Sequence, residues 1–115
     1  DLLHHWLLKK ELNRSFADYL KALDYKNVAI YGGGILGKHL ITELAGSDVN
    51  IKYVIDNNPE ARINADIPII PLSDVRNDVD VIIVTVTYQY DGICKNIRSL
   101  CDVRTISLEQ IVMEC

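Results

Sequence analysis

Two hydrophobic rhythms run along the chain. Over Leu2–Leu23, apolar residues stand at Leu3, Trp6, Leu7, Leu12, Phe16, Tyr19, Leu20 and Leu23. Spacings of three and four place such residues on one stripe of a helix. Asn13-Arg14-Ser15 interrupts the stripe, and Ser15 followed by Asp18 has the form of an N-cap with an acidic first turn. Two short helices are therefore predicted, Leu2–Leu12 and Phe16–Leu23, as a helical lead-in over residues 1–26.

From Asn27 the rhythm changes to short apolar runs separated by helical stretches. Val28-Ala29-Ile30-Tyr31 is apolar almost throughout, the pattern of a strand covered on both faces. Ile35–Ala45 returns to helical periodicity and Gly46 ends it. Ile51–Asp56 reads as a second strand, closed by Asn57-Asn58-Pro59, and Ile67–Ile70 as a third, with Pro68 marking it as peripheral. Val79–Val86 is a β-branched fourth strand, Asp91–Leu100 a helix, Val103–Ile106 a fifth strand and Leu108–Met113 a last helix. This alternation predicts an α/β fold over residues 27–115, a Rossmann-like three-layer sandwich around a five-stranded parallel sheet of order 3-2-1-4-5.

The sharpest motif lies at the first strand-to-helix turn, Gly32-Gly33-Gly34-Ile35-Leu36-Gly37. In a Gly-x-Gly-x-x-Gly turn the first glycine permits the tight bend, the second lets backbone approach a phosphate, and the third lets helix pack on strand. The helix start then offers unpaired N–H groups and positive dipole to a diphosphate. Asp56 ends the next strand, nineteen residues past Gly37, where a carboxylate accepts hydrogen bonds from ribose hydroxyls. Gly32, Gly33, Gly34, Ile35, Leu36, Gly37, Asp56 and Asn57 form the candidate cofactor site. Thr87 and Tyr88 join them from the loop after strand four, at the carboxyl ends of the strands. Asp-Asn-Asn-Pro is also ordinary turn chemistry, and Thr87 and Tyr88 also read as surface loop residues, so the bland reading of each stays open.

Competing chemistries fare worse. Gly32–Lys38 fits the first seven positions of a P-loop, but His39 stands where Ser or Thr would hold magnesium. A methyltransferase would end its first strand on an acidic residue, and Tyr31 stands there. No Tyr-x-x-x-Lys pair occurs, which removes the proton relay of short-chain dehydrogenases and sugar-nucleotide epimerases. No catalytic residues are identifiable, and whether the chain is part of an enzyme stays open.

Composition narrows the class. The chain has 115 residues, 49% hydrophobic and 24% charged, the balance of one globular domain. A net charge of −4 disfavours a nucleic-acid partner. No apolar run is long enough to span a bilayer, and no signal peptide is evident, so a cytoplasmic protein is expected. The three cysteines show no metal or redox spacing; Cys94 and Cys101 share a helix face as small apolar residues, and no metal site is expected. The sequence opens on Asp1, as a piece of a longer chain would.

The run VAIYGGGILGKHL…VNIKYVIDNNP…IPIIPLSDV…VDVIIVTVT resembles small Rossmann modules, NAD(P)- or CoA-binding-like, of bacterial polysaccharide-biosynthesis proteins, where they accompany glycosyltransferase, dehydratase or acetyltransferase domains. The resemblance implies a phosphate loop at Gly32, Gly34 and Gly37, a ribose acceptor at Asp56, and NAD(H) or a UDP-sugar as ligand. It also implies a neighbouring domain that does the chemistry. Two departures are Gly33, where Ala or Met is usual, and Asn64-Ala65-Asp66, which replaces the usual glycine before strand three. A regulatory sensor and a scaffold with a vestigial pocket are the alternatives.

Overall fold

A computed structural model describes residues 16–32, 34–56, 67–86 and 89–114. The elements are α1 (Phe16–Ala22), β1 (Asn27–Tyr31), α2 (Ile35–Leu44), β2 (Asn50–Ile55), β3 (Ile69–Ile70), a 3₁₀ turn (Leu72–Asp74), β4 (Val81–Val84), α3 (Tyr90–Leu100), β5 (Arg104–Ser107) and α4 (Leu108–Glu114). The five strands form one parallel sheet in the order β3-β2-β1-β4-β5. It is the Rossmann-like α/β arrangement expected from the alternation of runs. The helix Leu2–Leu12, the Ser15 cap and the Asn64–Asp66 loop lie outside the described residues.

Strand alternation divides the core into two layers. Val28, Ile30, Val54, Val81, Ile83 and Ile106 face one side, where they pack with Phe16 and Leu20 of α1, Leu40 and Leu44 of α2, and Leu108, Ile111 and Val112 of α4. Ala29, Tyr53, Ile55, Ile82, Val84 and Val103 face the other side, against Ile97 and Cys101 at α3. Phe16 and Leu20 are fully buried, so the apolar stripe of α1 belongs to the same core as β1. Each such side chain contributes roughly 1.5–3 kcal/mol by leaving water. Cys94 and Cys101 are free thiols buried in the packing, as their apolar setting in the sequence suggested.

Two differences from expectation have physical causes. The fourth strand is shorter, Val81–Val84 in place of Val79–Val86, because its neighbours supply partners only over that length: Val28↔Val81 to Tyr31↔Val84 on one side and Val81↔Arg104 to Val84↔Ser107 on the other. The third strand shrinks to Ile69–Ile70; Pro68 has no N–H to give, but its carbonyl accepts the Val54 amide at 2.9 Å. Between β3 and β4 the chain makes one 3₁₀ turn, opened by Pro71. Leu72 and Val75 of this link are half-buried and pack against the second core layer.

Two features fix the strand ends. Asp80 accepts the amides of Lys26 and Asn27, each at 2.9 Å, and its own N–H donates to the Asn27 carbonyl at 2.7 Å, tying the start of β1 to the start of β4. In β2 the pairing with β1 slips by one residue, from Val28↔Ile51 to Ala29↔Tyr53, leaving Lys52 bulged and exposed. The slip turns Tyr53 into the second core layer. There its hydroxyl donates to the Arg76 carbonyl at 3.1 Å, and the Arg76 guanidinium lies 5.0 Å from its ring centre.

Candidate functional site

The bulge in β2 also decides what stands beside the glycine turn. With Tyr31 opposite Ile55, the next residues out are Gly32 and Asp56. An unslipped ladder would have set Ile55 there. The Gly32 amide donates to the Ile55 carbonyl at 2.9 Å, and the Asp56 amide to the Ile70 carbonyl at 2.9 Å, so both residues are held by backbone as the strands end. Asp56 is half-buried. The two sequence signals, glycine turn and acidic strand end, are thus neighbours across β1 and β2.

Each of the three spaced glycines has its own surroundings. Gly32 has φ +102°, a conformation that side-chain-bearing residues rarely adopt, and a Cβ there would run into the Thr85 hydroxyl. Gly37 lies on the Gly32 carbonyl so closely that an added Cβ would clash with that backbone. It is the contact that lets α2 start directly above the end of β1. Gly34 differs: a Cβ built there meets nothing within 4 Å. Gly34 is the N-cap of α2 and makes no side-chain cap bond, and the first turn of α2 carries no acidic residue. The helix therefore presents its unpaired amides and positive end without any counter-charge from its own first turn.

The structure adds Thr85, a residue within the expected fourth strand Val79–Val86. It is the one buried polar side chain among the described residues, 5% exposed. Its amide donates to the Tyr31 carbonyl at 3.0 Å, and its Oγ1 lies 2.8 Å from the same oxygen and 3.3 Å from the Gly32 carbonyl. Thr85 thereby clamps the backbone as it turns out of β1. The available signal was register: once β1 and β4 are neighbours with Tyr31 level with Val84, Gly32 and Thr85 must meet.

The remaining candidates divide. Ile35 is 71% exposed at the start of α2, whereas Leu36 is half-buried against the core, so any contribution of Leu36 to a ligand comes from its amide. Gly33, Asn57, Thr87 and Tyr88 lie outside the described residues. In the same loop Gln89 takes a left-handed conformation (φ 57°) as N-cap of α3. Tyr90 turns toward α3 and β5, bonding to Cys94 and Thr105, and burial pushes its phenol up to about 12. It is tied into packing and does not line the turn.

Concave surface occurs elsewhere too. A groove of about 730 Å³ runs along β5, and a more open one of about 610 Å³ adjoins it, sharing Leu23, Tyr25, Asp102, Val103 and Arg104. Neither includes a residue of the glycine turn. No group of three or more His, Cys, Asp or Glu suited to a metal occurs among the described residues, and no helix among them is long and apolar enough to cross a membrane. No family model, curated protein or solved structure matches the chain.

Proposed function

We propose that this chain is a nucleotide-binding module of a polysaccharide-assembly protein. It holds NAD(H), or alternatively a nucleotide-sugar such as a UDP-sugar, in the cytoplasm while a neighbouring domain carries out the chemistry. The observation that carries this reading is the open approach at Gly34, at the uncapped start of a ten-residue helix, between two glycines that have no room for a side chain. A diphosphate there accepts hydrogen bonds from the helix amides and meets the positive end of the dipole. Asp56, one strand over, accepts the ribose hydroxyls. Its carboxylate repels a 2′-phosphate, so NAD is favoured over NADP.

One observation supports a sensor as the second reading. α1 packs on α2 and α4, so the helix that begins at the glycine turn also carries the lead-in. Ligand binding at one end of α2 then alters the docking of α1 at its side.

Thermal unfolding with NAD⁺, NADH, NADP⁺, UDP-sugars, coenzyme A and S-adenosylmethionine tests the proposal. A ligand at about 100 times its Kd adds roughly 2.7 kcal/mol of apparent stability. A rise with NADH or a UDP-sugar but not NADP⁺ supports the module. Equal response to NADP⁺ removes the role given to Asp56, and no response to any of them leaves a scaffold.

A further inference from the structure

We draw no further inference here: the strongest candidate, the groove along β5 lined by Tyr19, Leu23, Tyr25, Arg98 and Arg104, carries none because nothing in the structure shows what occupies it.

Discussion

The three glycines of the turn look alike in sequence, but substitution should separate them sharply. Gly32→Ala forces a side chain into φ +102° and drives its Cβ into the Thr85 hydroxyl. Backbone strain of about 1–3 kcal/mol and overpacking of about 1–3 kcal/mol combine there, a large fraction of the 5–15 kcal/mol typical of a domain. Gly37→Ala gains about 0.5–1 kcal/mol of helix propensity but meets the Gly32 carbonyl, which is backbone and has no rotamer to escape into. A net loss of roughly 1–2 kcal/mol is expected. At Gly34 an added Cβ meets nothing within 4 Å, so Gly34→Val is expected to cost only the weaker N-cap, up to about 1 kcal/mol, while its side chain fills the space proposed for the phosphate. Urea unfolding followed by circular dichroism, with NADH or UDP-sugar affinity measured beside it, reads all three. The reasoning is refuted if Gly32→Ala is as stable as the native chain, if Gly34→Val unfolds as readily as Gly32→Ala, or if Gly34→Val binds as tightly as the native chain.

Thr85→Val, which keeps shape but removes the hydroxyl shared by Tyr31 and Gly32, is expected to cost about 1–3 kcal/mol in urea unfolding; Thr85→Ser should cost about 1 kcal/mol, and equal loss in both would contradict the clamp. The amides of Asn27 and Lys26 hold the Asp80 carboxyl below its ordinary value of 3.8. A folded-state value lowered in this way contributes stability above the unfolded value that disappears as pH falls through the folded one. Acid titration of Asp80→Asn should therefore show a smaller loss of stability below pH 3.8 than the native chain shows. Tyr90 behaves oppositely: burial raises it from 10.0 to about 12, so its contribution is present below pH 10.0 and is lost as pH climbs toward 12. Stability measured across that window should decline less in Tyr90→Phe, and an identical decline would place the alkaline transition elsewhere.

The strand order was legible because Val28–Tyr31 and Val81–Val84 are apolar on both faces, which only a covered central strand requires. The glycine turn was legible because local chemistry alone demands its residues. What stayed hidden depends on tertiary register. The bulge at Lys52 leaves no local signature, since a strand carrying one extra residue reads like any other, but it decides that Asp56 and not Ile55 stands beside Gly32. Thr85 looked like one more β-branched strand residue until the β1–β4 register set it against Gly32. The groove along β5 is assembled from α1, α3, β5 and α4, elements far apart in the chain, and no window of sequence contains it.

The claim on which the account stands is that helix amides at the start of α2 hold a diphosphate. Titration of the ¹⁵N-labelled chain with NADH, and separately with a UDP-sugar, observes those amides one by one. The account predicts saturable shifts of Ile35, Leu36 and Gly37 together with Asp56, absent in Gly34→Val. Shifts confined to the β5 groove, or none at millimolar ligand, would contradict it.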